Sequence, residues 1–79
     1  MIDAEDDYVA LTSALRILRR RAALSQVQVA DLVGVRNTYI SQVEHAQRGV
    51  ATRTMLRMLK VYGASLADLA REIERGEGK

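Results

Sequence analysis

Apolar residues recur at helical spacing along most of the chain, and the breaks in that pattern predict five helices and an all-α fold. Leu11, Leu15, Leu18 and Ala22 form the first stripe, placing a helix over about residues 7–22. The second helix opens at Ser25, where Ser25 and Gln28 have the spacing of a capping box and Leu24 and Val29 that of a hydrophobic staple. It buries Val29, Ala30 and Val33 and stops at Gly34, a residue suited to the left-handed turn that ends many helices. A third, over about residues 37–45, puts Ile40 and Val43 on one side, with Tyr39 and Glu44 at the margins. Asn37, Thr38, Ser41, Gln42 and His45 fall on the other. The fourth spans about residues 52–62, burying Met55, Leu56 and Leu59, and ends at Gly63; Met55 and Met58 read as core filling. The last begins at Ser65, with Asp68 at the third helical position, and presents Leu66, Leu69, Ala70 and Ile73.

No proline, Ser/Gly linker, low-complexity tract or internal repeat interrupts this series, so residues 1–79 read as one domain, with 25–45 a two-helix unit. Residues 1–6 read as a flexible acidic N-terminus and 75–79 as a frayed tail. A chain of 79 residues buries a modest fraction of its surface, so its stability margin is small and dimerisation would help. Absence of cysteine rules out a disulfide or thiolate metal site, and His45 alone cannot form a histidine cluster. No apolar run approaches the roughly 20 residues that span a bilayer, and the acidic N-terminus is unlike a signal peptide. A cytoplasmic protein with no membrane association, cofactor or evident small-molecule ligand is expected. There is no nucleophile–base–orienter set, phosphate-cradling glycine loop or metal-ligand spacing, so an enzyme is not expected.

The formal charge of +2 conceals an uneven distribution: residues 1–10 carry −4, residues 11–62 carry +7, and residues 63–79 carry −1. The basic middle contains the two-helix unit. Asp3, Glu5, Asp6 and Asp7 suit the N-terminal end of a helix dipole better than a metal site on a chain terminus. Arg16, Arg20 and Arg21, at the other end of the first helix, read more simply as solubilising charges than as phosphate ligands.

Two helices joined by a short glycine-containing turn, the second with an uncharged polar outer face inside a basic segment, have the layout of a reader of the DNA major groove. Asn and Gln offer a donor and an acceptor side by side, matching the N6/N7 edge of adenine, while Ser and Thr serve either role. Arg36, at the entrance to the third helix, can fork onto guanine O6/N7 or hold a phosphate. A merely solvated helix face is the competing reading.

The stretch "LRILRRRAALSQVQVADLVGVRNTYISQVE", followed by "LKVYGASLADL", resembles the Cro/C1-type (XRE, lambda-repressor-like) helix-turn-helix domain over residues 11–72. The resemblance implies a compact five-helix domain that binds double-stranded DNA as a homodimer on a pseudo-palindromic operator, often as a repressor. It matches Asn37, Thr38, Ser41 and Gln42 to base-reading positions, Gln26 to a residue that contacts phosphate or base, and Tyr39 to a frequent DNA-backbone contact. Arg36 joins the base-reading set by its own chemistry, and Ser25, Arg48 and Arg53 complete the expected phosphate contacts, the last two on or beside a loop that departs from the family. The resemblance also implies a structural salt bridge between Arg19 and Glu44. With helix five at the dimer contact, Leu66, Leu69 and Ile73 are the expected interface. The sequence departs from the family where a Gly and a Pro usually follow helix three, since Ala46 and Val50 stand there; Arg36 also replaces the common Ser or Thr cap. The controller proteins of restriction-modification systems share that loop and are a sub-reading. An antitoxin or co-regulator that binds a protein partner is the alternative function.

Overall fold

The computed structural model describes residues 4–77 and is helical in all its regular structure. Five helices follow one another: α1 (Glu5–Arg21), α2 (Gln26–Val33), α3 (Asn37–Glu44), α4 (Thr52–Tyr62) and α5 (Leu66–Glu77). Helix α1 packs against α3, α4 and α5, and α2 against α3 and α4, so the α2–α3 pair rests on α1 and α4, with α5 laid against α1. The core joins Leu15 and Leu18 of α1, Val29 and Val33 of α2, Ile40 and Val43 of α3, Met58 and Leu59 of α4, and Leu69 of α5.

Two helix starts are fixed by reciprocal caps. Ser25 accepts from the Gln28 backbone N–H (3.1 Å) and its own N–H donates to Gln28 Oε1 (2.8 Å). Ser65 and Asp68 repeat the exchange at α5 (3.1 and 2.8 Å), and these bonds, with the adjoining Arg71, hold the Asp68 carboxyl below the ordinary carboxylate range.

Several sequence-based boundaries and faces change. Helix α1 begins at Glu5, taking in two residues of the segment expected to be flexible, because Glu5, Asp6 and Asp7 fill its first turn and complement the dipole. Helix α5 extends to Glu77, through three of the five residues expected to fray. Asp3 and residues 78–79 lie outside the described residues. On α4 the inward stripe is Met55, Met58, Leu59 and Tyr62, which leaves Leu56 exposed rather than buried. On α5 the inward line is Leu69, Glu72 and Ile73; Leu66 and Ala70 are exposed. Glu72 is buried because it ties α5 to α1 through Arg21 (2.7 Å), with Arg75 at 3.4 Å.

The helix ends share one device. After α1, α3 and α4 the chain turns back with paired backbone bonds, as in Leu24 N–H to Arg19 C=O (3.3 Å) and Gln47 N–H to Gln42 C=O (2.8 Å). Gly34 (φ +86°) and Gly63 (φ +68°) supply the left-handed residue after α2 and α4, but Ala23 (φ +60°) and Ala46 (φ +56°) supply it after α1 and α3. Ala46 therefore keeps the backbone conformation for which the resembling family uses glycine. An alanine in this region is disfavoured by about 1–2 kcal/mol, part of which glycine gives back as unfolded-chain entropy. Ala23→Gly is thus expected to raise stability by roughly 0.5–1 kcal/mol, seen as an increase of a few degrees in melting temperature.

Candidate nucleic-acid interface

Helices α2 and α3 are joined by Gly34, Val35 and Arg36. Gly34 reverses the chain with a left-handed φ, its N–H and that of Val35 both donating to the Ala30 carbonyl (2.8 and 3.0 Å). Helix α3 then seats Ile40 and Val43, neither with any exposure, against the core. Since a helix turns about 100° per residue, fixing those two side chains directs Thr38, Gln42 and His45 outward. Asn37, Thr38 and Gln42 are exposed, while Ser41 and Tyr39 are half-buried. Arg36 is exposed at the N-cap of α3, where it makes no side-chain cap hydrogen bond. Asn37 and Thr38 also border a shallow notch of about 540 Å³ against α2, where Val27 and Asp31 form the far wall.

Beneath this face the structure brings Arg19 and Glu44 together. Arg19 Nε donates to Glu44 Oε2 (2.6 Å) and its Nη2 to Oε1 (2.9 Å), and Nη1 donates to the Leu24 carbonyl (2.8 Å). Both residues are buried, at 8% and 6% exposure. The paired carboxylate raises the Arg19 pKa above the ordinary arginine value, outweighing the effect of burial. One bidentate pair thus clamps α1, the α1–α2 turn and α3 at a fixed spacing. Gln26 joins it, its amide N–H donating to Glu44 Oε1 (3.1 Å), so the first residue of α2 is tied to the last of α3. Tyr62 is buried nearby; burial pushes its phenol pKa up, with Glu44 adding to the shift and Arg19 opposing it.

Each candidate phosphate ligand has a definite setting. The Ser25 hydroxyl accepts from Gln28 N–H and retains its own hydrogen for donation. Gln26 has committed one amide hydrogen to Glu44, and its second remains to be offered. Arg53 is exposed on the first turn of α4, and Arg48 is exposed in the α3–α4 loop. The Arg48 guanidinium lies over the Tyr39 ring, 4.8 Å from its centroid, and donates to Gln42 Oε1 (3.4 Å). Tyr39 Oη accepts from the Ala51 N–H (3.3 Å), and Tyr8 Oη of α1 donates to the Arg48 carbonyl (2.5 Å). Two tyrosines therefore hold the loop that lacks the family's Gly and Pro. No local pattern marks Tyr8 for this role, since it acts on a residue 40 positions away. His45, exposed at the end of α3, places Nδ1 2.7 Å from the Ser41 carbonyl, which requires the hydrogen on Nδ1.

Residues 10–77 of the chain match the family model described as a helix-turn-helix domain. The chain belongs to that family. The helix-turn-helix domain is also 34% identical, over 70 residues, to the HTH-type transcriptional regulator PuuR of Escherichia coli strain K12 and to that of Shigella flexneri. The match takes in 89% of this chain and 38% of each relative, so the chain spans about two fifths of the length of the curated relatives it matches.

The expected dimer residues are not brought together on one free surface of this helix-turn-helix domain. Leu69 is 3% exposed within a single chain, held in the core between α1 and α5, and has almost no surface left for a partner. Leu66, 55% exposed, stands clear of the core. Ile73 is half-buried and lines an apolar groove with Val9 and Ile17 of α1.

Proposed function

We propose that this protein is a sequence-specific DNA-binding transcriptional regulator of the Cro/C1 type, acting as a homodimer on a pseudo-palindromic operator and repressing by occlusion. The observation that carries this reading is the outer face of α3: Asn37, Thr38 and Gln42 are exposed and uncharged, on a helix held rigidly by the core and by the Glu44 clamp. Uncharged amides and hydroxyls discriminate base edges, whereas phosphates supply sequence-independent affinity. Ser25, Gln26, Tyr39, Arg48 and Arg53 are the phosphate-contact set, and Arg36 with Asn37, Thr38, Ser41 and Gln42 the base-reading set. The names of the two relatives support the regulatory role.

A salt titration tests the division of labour. Affinity for random duplex is expected to fall with a log–log slope of about −0.9 per neutralised phosphate, while the preference for an operator over random duplex persists. Loss of that preference along with the affinity would count against base reading.

Dimerisation rests on Leu66, with Ile73 two turns along α5, rather than on Leu69. Leu66→Asp places an acid on the first turn of α5, where the helix dipole tolerates it. The variant is expected to stay folded but sediment as a monomer, with weakened operator binding. A folded variant that remains dimeric would remove Leu66 from the interface.

A further inference from the structure

The guanidinium of Arg48 does more than face a phosphate: resting on the base-reading role of Gln42 stated above, we propose that Arg48 is a positioning residue that fixes which end of the Gln42 amide meets the DNA. Arg48 Nη1 donates to Gln42 Oε1 at 3.4 Å, and the reverse orientation of that amide would set its NH2 group against a cation. Arg48 is itself held in two ways. Its guanidinium stacks on Tyr39, and its carbonyl accepts a 2.5 Å hydrogen bond from Tyr8 of α1. Tyr39 in turn is tied through its hydroxyl to the backbone of Ala51, at the start of α4. The loop, α1 and α3 are thus joined through Arg48, whose guanidinium reaches the Gln42 amide oxygen.

The consequence is chemical. A free glutamine amide matches adenine with both ends, accepting from N6–H and donating to N7. With Oε1 turned toward Arg48, Gln42 presents its N–H donors alone. Guanine, which offers two acceptors in O6 and N7, then becomes the favoured base, and adenine, with one acceptor and a competing donor, is disfavoured. Tyr8 contributes at a distance from the DNA-reading face by restraining the backbone of Arg48.

The test uses the full chain and compares base preference, by competition binding, at the base pair where Gln42→Ala relaxes discrimination. Wild type is expected to prefer guanine there. Arg48→Met removes the donor but keeps an unbranched stem on Tyr39; it is expected to move the preference toward adenine by on the order of tenfold, without altering other positions. Arg48→Lys, which keeps a donor and the charge, should retain guanine. Tyr8→Phe, which removes only the hydroxyl, should produce the Arg48→Met shift in weaker form. In a Gln42→Ala background Arg48→Met should lower affinity equally on every sequence. If Arg48→Met in the wild-type background weakens all sequences equally and leaves guanine favoured, Arg48 is a phosphate ligand only, and the proposal fails while base reading stands. If Gln42→Ala itself weakens specific and random DNA alike, base reading by Gln42 fails, and the proposal with it. Arg48 and Tyr8 lie at or near the surface, so the three variants are expected to melt close to wild type, which thermal melts check.

Discussion

Glu44→Ala is expected to cost roughly 3–5 kcal/mol and to leave the domain largely unfolded at moderate temperature. Arg19 directs Nε and Nη2 onto the Glu44 carboxylate, both buried, and Nη1 onto the partly buried Leu24 carbonyl. Truncating Glu44 strands that guanidinium without its counter-charge and leaves the Gln26 amide without its acceptor. A chain of this length has a total stability of about 4–12 kcal/mol, so the loss is a large share of it. The sign of the pH dependence follows from Arg19. Its folded pKa is raised, so its contribution is fully present below the ordinary arginine value and is lost only as pH rises through the higher folded one. The guanidinium is therefore charged throughout the range in which the protein can be studied. Urea melts followed by circular dichroism measure the loss. The double replacement Arg19→Met with Glu44→Leu should recover much of it, because an apolar pair of similar volume avoids the cost of burying charge. A single Glu44→Ala variant as stable as wild type would show that the clamp contributes orientation and little stability.

The second large effect falls on recognition. Gln42→Ala is expected to weaken binding to the best operator by about 1–3 kcal/mol, with a much smaller loss on random duplex. The exposed side chain of Gln42 supports nothing in the core, so the variant should melt as wild type does. The asymmetry between operator and random DNA is the quantity to measure. Equal losses on both would mean that Gln42 contributes to general affinity and reads no base.

The features that could be read from the chain are those whose physics is local. Ser25 with Gln28, and Ser65 with Asp68, announce two helix starts because each cap closes within one turn. Gly34 and Gly63 mark two ends because a left-handed residue favours glycine. Ala23 and Ala46 adopt the same conformation with no composition signal, since tertiary packing imposes it on a residue that would not choose it. Which of Leu56 and Met58 turns inward depends on a shift of part of a turn, too fine for apolar periodicity to resolve in a segment with four adjacent candidates. Glu72 gave no signal in the sequence: a charged residue beside the apolar stripe of α5, it is buried where Arg21, on another helix, reaches it. The same reasoning explains Leu69, whose place on the apolar stripe of α5 did not say whether that stripe meets α1 or a second subunit.

In the candidate interface the outward set of α3 was legible from the 100° period, and the settings of the individual side chains were not. Tyr8 pins the carbonyl of a residue 40 positions away, and Gln26 reaches Glu44 across 18. Both contacts exist only once the helices have packed. Under the proposed role of α3 they matter for recognition, since reading base edges requires its outer side chains to be held in a fixed position.

The most direct test of base reading by α3 is selection of bound sequences from a random duplex pool at near-physiological salt. Enrichment of an inverted repeat with half-sites about one helical turn apart is expected, as a two-fold dimer with one α3 in each of two successive major grooves requires. Recovery of random sequences, bound only through salt-sensitive contacts, would contradict base reading by α3.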